Sequence, residues 1–160
     1  MAKTNEFEIY ILVPAANAAS NTALDMTDYV DIADNEAFQV DEVDIVLDPT
    51  ETMPAASEAI FQLADSNIQA FVSHSDRTSL YVSRLTYNGS AAGQYGLYHQ
   101  ESFSSLTPLI VNKTIFCRSE SNSTGAAQTL NHTLRLKGKI VKPSAKDYMA
   151  LVLTQTGNVA

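Results

Sequence analysis

The chain has 160 residues, of which 45% are apolar and 18% charged, and its formal net charge is −8 at pH 7. This length fits one folded domain, and this composition excludes a wholly disordered chain. The single cysteine, Cys117, excludes an intrachain disulfide, and no apolar run reaches the roughly 20 residues of a membrane-spanning helix. We therefore expect one domain with neither a disulfide nor a membrane span.

The charges are divided unevenly between the two halves of the chain. Residues 1–76 hold fifteen of the eighteen carboxylates and one lysine, whereas residues 77–160 hold nine of the ten bases. If the halves form opposite edges of the subunit, copies of the chain carry complementary potentials that steer them together. The alternative is a monomer with two solvated faces. In either case the first half has no basic arm for nucleic acid.

Alternation of apolar and polar residues predicts strands in the first third of the chain. Residues 6–13 predict a strand that ends at Pro14, and residues 24–31 predict a weaker extended segment. Within residues 38–47 the apolar positions change parity at Asp41–Glu42. A β-bulge has this effect, because one extra residue turns every later side chain to the other face.

The middle of the chain is less regular. Residues 54–65 fit either a helix with Pro54 at its first position or a strand, and we favour the strand. Residues 68–72 and 80–85 predict two short strands.

Residues 88–106 predict a long irregular loop that contains three of the six glycines. Long loops inside compact domains are often functional, and aromatic side chains favour contact. We predict that this loop forms a subunit interface, and the alternative is a lid folded over the core. The candidate interface residues are Tyr95, Tyr98, His99 and Phe103.

The last third again alternates. Residues 109–117 are nearly continuously apolar, which is typical of a strand covered on both faces, and residues 119–128 predict a turn. Residues 130–141 predict a strand with a bend or bulge at Gly138, and residues 149–153 predict a final strand.

Eight or nine strands with connections of uneven length predict an all-β fold. The expected architecture is a two-sheet antiparallel β-sandwich of jelly-roll type. We expect residues 1–23 to form an N-terminal strand or arm, and residues 24–160 to form the single sandwich domain.

No motif predicts catalysis or a cofactor. The three histidines are not spaced as metal ligands, and Cys117 lies in no nucleophile motif. Aspartates recur at positions 25, 28, 31 and 34, a spacing that alternates between the two faces of an extended strand. A solvated acidic face is therefore favoured over a Ca²⁺ ion that bridges subunits. Arg135, Lys137 and Lys139 share one side of their strand and form either a solvated face or a basic inner surface.

Two stretches of this sequence resemble the single jelly-roll capsid proteins of small icosahedral viruses. Residues 24–30 (LDMTDYV) and 38–47 (FQVDEVDIVL) are similar to the entry segment and first core strand of such a domain. Residues 134–141 (LRLKGKIV) and 148–154 (YMALVLT) are similar to its last two strands.

The resemblance implies a structural subunit of a virion, made in the host cytoplasm, with no catalytic activity. It implies a homo-oligomeric ring or shell, with or without a second capsid protein, and contacts through the loop with Tyr95 and Phe103. Many such proteins begin with an Arg/Lys-rich arm that binds the genome, and this chain departs from that pattern. A separate component, or the basic residues between 135 and 146, would then neutralise the genome.

Two other functions stay open. A carbohydrate-binding, lectin-like β-sandwich would stack the aromatic residues between 95 and 103 on sugar rings, with or without Ca²⁺. A subunit of a fibre or phage tail would pair its first strand, residues 6–13, with a neighbouring copy.

Overall fold

A computed structural model describes residues 5–50, 57–73, 75–89, 95–103, 109–123 and 129–156 of the chain. These residues form nine strands, one 3₁₀ turn and one α-helix. The strands are β1 (Phe7–Ala15), β2 (Ser20–Asp25), β3 (Ala37–Leu47), β4 (Ser57–Ala64), β5 (Ser79–Gly89), β6 (Tyr95–Phe103), β7 (Leu109–Ile110), β8 (Thr114–Ser123) and β9 (Leu130–Val141). The 3₁₀ turn is Ile32–Asp34, and the helix α1 is Ala145–Thr156.

The strands form two antiparallel sheets. Sheet A has the order β1-β9-β3-β7, and sheet B has the order β2-β8-β4-β5-β6. From β1 to β4, and again from β7 to β9, successive strands alternate between the sheets. With β6 set aside as an added outer strand, this is the order of a jelly roll. The predicted all-β sandwich of jelly-roll type is therefore confirmed.

The core lies between the two sheets and is built from alternate residues of each strand. Strand β9 shows this most regularly, because every second residue from Leu130 to Ile140 is buried, Gly138 included. His132 belongs to this buried row and meets the ring of Phe61 edge-on, with 4.7 Å between the ring centroids. His132 is thus a core side chain near the start of β9.

The predicted β-bulge is present in β3. Val40 pairs with Gly138 and Glu42 pairs with Lys137, so that Asp41 is the extra residue. The bulge keeps Val40, Val43 and Ile45 on the buried face although their spacing is uneven. For residues 54–65 we favoured a strand over a helix, and this is confirmed for 57–64, which form β4, whereas 54–56 lie outside the described residues.

The connection from β4 to β5 is not a strand, contrary to the prediction for residues 68–72. It folds over the outer face of sheet B, where Gln62 on β4 is buried beneath it. The amide of Gln62 exchanges two hydrogen bonds with the backbone of Val72, at 2.9 and 3.0 Å. Ile68 is buried in the same connection, which explains its apolar character without a strand.

The prediction of an irregular loop at residues 88–106 is also wrong for those of its residues that the structure describes. Strand β5 continues to Gly89, and β6 spans Tyr95–Phe103 in antiparallel register with it. Residues 90–94 and 104–106 lie outside the described residues. The extended segment predicted for residues 24–31 is likewise displaced, because β2 covers Ser20–Asp25 and the chain then turns.

The predicted final strand is the helix α1. Ser144 begins it, since its hydroxyl oxygen accepts a hydrogen bond from the Asp147 amide at 3.2 Å and donates one to the Asp147 carboxylate at 2.6 Å. Tyr148 and Val152, one helical turn apart, pack with Leu151 against Ala37, Val111 and Val141 at one end of sheet A. In the part of the chain that the structure describes, no helix is long and apolar enough to cross a membrane.

Candidate interaction surfaces

The outer face of sheet A carries alternating rows of charge. The central strand β9 presents bases, and its neighbours β1 and β3, with Glu6 just before β1, present carboxylates on both sides of them. The ion pairs join Arg135 to Asp44 (3.0 Å) and Glu8 (4.0 Å), Lys137 to Glu6 (3.5 Å) and Glu42 (4.0 Å), and Lys139 to Asp41 (3.4 Å).

These pairs change the interpretation of the uneven charge distribution. Two further bases of the second half, Lys142 and Arg84, pair with Asp34 at 3.5 Å and Glu58 at 3.0 Å. Opposite charges from the two halves therefore meet within one subunit, across neighbouring strands, and not at opposite edges of it as we expected. The row of Arg135, Lys137 and Lys139 does share one face, but flanking carboxylates neutralise it.

The other end of the same face is apolar. Leu12 and Val46 both lie beside Thr133, one on each side of β9. Their exposed fractions are 59% and 52%, and Tyr10, next along β1, is 61% exposed. We call Tyr10, Leu12 and Val46 the sheet patch. The sequence offered a signal for it, because Tyr10 and Leu12 occupy the polar parity of the first strand.

The helix α1 exposes a second apolar surface. Met149 is 56% exposed and Leu153 is 66% exposed, and their spacing of four residues places them on one side of the helix. Tyr148 and Val152 lie about 100° away around the helix and pack on sheet A. A helix that is apolar on both sides is usually covered on both sides. Sequence analysis missed this surface because it assigned these residues to a strand.

The predicted interface residues lie on β6, the outermost strand of sheet B. The register pairs positions 99, 101 and 103 with Leu85, Ser83 and Tyr81, which are all buried. Tyr95, His99 and Phe103 therefore occupy positions on the inner face of the sheet, and Tyr98 occupies a position on its outer face. The four residues therefore lie along one edge strand of sheet B, and not in a loop as predicted.

Asp65 carries a buried carboxylate. Asp65, directly after β4, is 4% exposed, and neither oxygen of its side chain has a hydrogen-bond partner among the described residues. Loss of water around the carboxylate raises its pKa to about 6, and the negative charge of Asp76 acts in the same direction. Asp65 is thus a group that changes charge near neutral pH inside the β4–β5 connection.

The aspartates that were considered for Ca²⁺ form local turns. Asp25 accepts hydrogen bonds from the backbone and side chain of Thr27, at 2.9 and 2.7 Å, and these bonds lower its pKa. Asp31 accepts one from the Ala33 amide at 3.0 Å, beside an open depression of about 510 Å³. Among the described residues, no three His, Cys, Asp or Glu side chains are grouped as a metal site.

Cys117 lies in the core between the sheets. It is 2% exposed, and burial raises the pKa of its thiol to about 12. The thiolate, which is the nucleophilic form of cysteine, is therefore disfavoured at neutral pH. The residue acts as a small apolar side chain in this structure.

We compared the chain with protein-family models, with curated proteins and with solved structures, and none of them matches it. Its function is therefore inferred from its own geometry.

Proposed function

We propose that this chain is a self-associating structural subunit of a virus capsid. The observation that carries the proposal is the jelly-roll order of the two sheets, with strands from both halves of the chain interleaved in each. Viral capsid proteins are a major class built on this order, together with lectins and cupins. Of the segments that resemble capsid domains, residues 38–47 and 134–141 lie in strands β3 and β9, and this part of the resemblance supports the first of these classes.

Two separate exposed apolar surfaces support self-association. The sheet patch lies on the outer face of sheet A, and Met149 and Leu153 are exposed on α1. Apolar patches of this kind mark interaction sites on otherwise soluble domains. Two such surfaces on different elements, one on β1 and β3 and one on α1, allow each copy to contact more than one neighbour, as a closed ring or shell requires.

The charges set the conditions for assembly more than its strength. The bases of β9 pair with carboxylates of the same subunit. The chain has a net charge of −8, and identical copies therefore repel each other. Apolar contacts then supply the attraction. Because salt screens the repulsion, we expect assembly to increase with ionic strength.

The proposal is tested by light scattering and negative-stain electron microscopy of the purified chain at about 0.1 M and about 1 M NaCl. Between these conditions the Debye length falls from about 10 Å to about 3 Å. We expect closed rings or shells, more abundant at the higher salt concentration. Assembly in the variant with Leu12→Asn and Val46→Thr should be reduced, whereas Thr133→Ser, between them on the same face, should assemble like the wild type.

Other outcomes would overturn the proposal in a defined way. Filaments in place of closed shells would indicate a fibre or tail subunit. A small discrete oligomer whose melting temperature rises with added oligosaccharide would indicate a lectin-like module. A monomer at every concentration and salt level would exclude self-assembly of this chain alone.

A further inference from the structure

The two sheets present four outer edges, and three of them are poor templates for another strand. Strand β7 has two residues, and β2 has six. Strand β1 contains Pro14, which has no backbone N–H to donate. Short edge strands and edge prolines are the devices by which natural sheets avoid pairing with other chains.

The fourth edge, β6, has none of these devices. It is nine residues long, contains no proline, and carries one formally charged residue, Glu101. Among the described residues its strand neighbour is β5 alone, so one side of its backbone faces away from sheet B. An edge strand of this length with little charge is the kind that pairs with a further strand.

Strand β6 also extends beyond the opposite sheet. Sheet A has four strands and sheet B has five, and β1 packs on β2 and β8 at the other end of the sandwich. If the four strands of sheet A are matched in order from that end to the first four of sheet B, β6 is the strand of sheet B left without a counterpart among the described residues. Its inner-face positions are 95, 97, 99, 101 and 103, and three of them hold apolar or aromatic residues, namely Tyr95, Leu97 and Phe103.

We propose that β6 joins two copies of this chain by antiparallel pairing across a two-fold axis, so that two copies of sheet B form one continuous sheet. The inference rests on the proposed self-association and names the contact that begins it. In the register of full overlap the axis passes through His99, and position 97 of one copy faces position 101 of the other.

The sequence of β6 fits pairing with itself. Tyr95 of each copy faces Phe103 of the other, which gives two aromatic cross-strand pairs. Glu101 of each copy faces Leu97, so that no two like charges are opposed. A two-fold axis requires such self-complementarity, because each contact occurs twice.

The test uses the full chain and two variants of one residue, Leu97→Lys and Leu97→Glu. Both replace the same leucine by a long charged side chain, and the neighbour of position 97 within the subunit is Tyr87, which is uncharged at neutral pH. The variants differ in the charge that faces Glu101 of the second copy. Sedimentation equilibrium should give a dimer dissociation constant about tenfold or more higher for Leu97→Glu than for Leu97→Lys.

A background of Glu101→Gln serves as the control, since it should abolish the difference between the two variants. Circular dichroism and thermal unfolding establish that each variant is folded. If one is not, hydrogen exchange of the wild-type chain replaces it, and the β6 amides should gain protection as the protein concentration rises. Equal dissociation constants for the two folded variants, no concentration-dependent protection in β6, or a wild-type monomer at every concentration would overturn the inference.

This test and the test of the proposed function fail separately. Dimers that respond to the charge at position 97 but never form rings or shells would support the β6 contact and contradict the proposed capsid function. Rings or shells that form equally well from Leu97→Lys and Leu97→Glu would support the proposed capsid function and contradict the β6 contact.

Discussion

Gly138 on β9 touches the backbone of Gln39 on β3. A Cβ atom added at residue 138 would stand 2.0 Å from the carbonyl oxygen of Gln39 and 2.8 Å from Cζ of Phe38. Gly138 pairs with Val40, immediately before the extra residue of the bulge. The two central strands of sheet A therefore approach each other closely at a point where only a glycine fits.

We expect Gly138→Ala to destabilise the fold. The neighbouring atoms include backbone, which cannot rotate away, and overpacking of this kind costs about 1–3 kcal/mol. The urea midpoint should fall with little change in the slope of the transition. The outward-facing Thr133→Ala on the same strand is the control and should change stability less, so equal midpoints for the two variants would contradict the close approach.

Features that depend on local pattern were predictable from the sequence. The change of parity at Asp41–Glu42 predicted the bulge, because a register shift must move every later apolar residue to the other face. The alternation of residues 130–141 predicted β9, whereas the pattern of residues 54–65 fitted a helix or a strand and only favoured β4. Together these local patterns also predicted the sandwich class.

Features that depend on a distant partner were not predictable. Strand β6 lacks apolar alternation and is defined by its pairing with β5, which local sequence does not reveal. The helix α1 was assigned to a strand because a short apolar run fits either state, and its contacts with Ala37 and Val111 decide between them. The alternating rows of charge were not predictable either, because they depend on the strand order β1-β9-β3. This order brings Asp44 beside Arg135, 91 residues later in the chain.

We expect Asp65 to make the stability of the fold depend on pH. Its pKa is raised to about 6 in the folded state, chiefly by desolvation, from an ordinary value of 3.8. The folded state therefore binds the proton more tightly than the unfolded state, so stability contributed by the protonated form is present below about pH 4 and is lost as the pH rises through 6.

The variant Asp65→Asn removes this titration. Because the amide stays neutral, the variant should be more stable than the wild type at pH 7.5 by about 1–2 kcal/mol, and the advantage should disappear near pH 4. Urea unfolding of both proteins across this pH range measures the difference. The exposed Asp28→Asn is the control, and an advantage of Asp65→Asn that is the same at every pH would show that the carboxylate does not titrate in this range.

We expect the thiol of Cys117 to be unreactive in the native protein. It is buried, and its pKa of about 12 leaves little thiolate at neutral pH. Labelling with an aromatic disulfide reagent should be slow without denaturant and fast in urea. A cysteine placed at the exposed position 28 in a Cys117→Ala background should label at once, and equally rapid native labelling of Cys117 would show that the core between the sheets opens readily.

The pair of Arg135 and Asp44 tests whether the uneven charge distribution acts within one subunit. Their side chains are each about one-third exposed and their charged atoms are 3.0 Å apart, so solvent screens the pair in part. A double-mutant cycle with Arg135→Gln and Asp44→Asn should give a coupling of about 0.2–1 kcal/mol in the unfolding of the monomer, smaller at high salt. The pair of Arg84 and Glu58 on sheet B, also 3.0 Å apart, is the control and should behave alike.

If the coupling were absent from unfolding but present in the association of copies, the charges of β9 would serve contacts between subunits. A coupling in the monomer would show that the acidic and basic halves of the chain are complementary because β9 lies between β1 and β3.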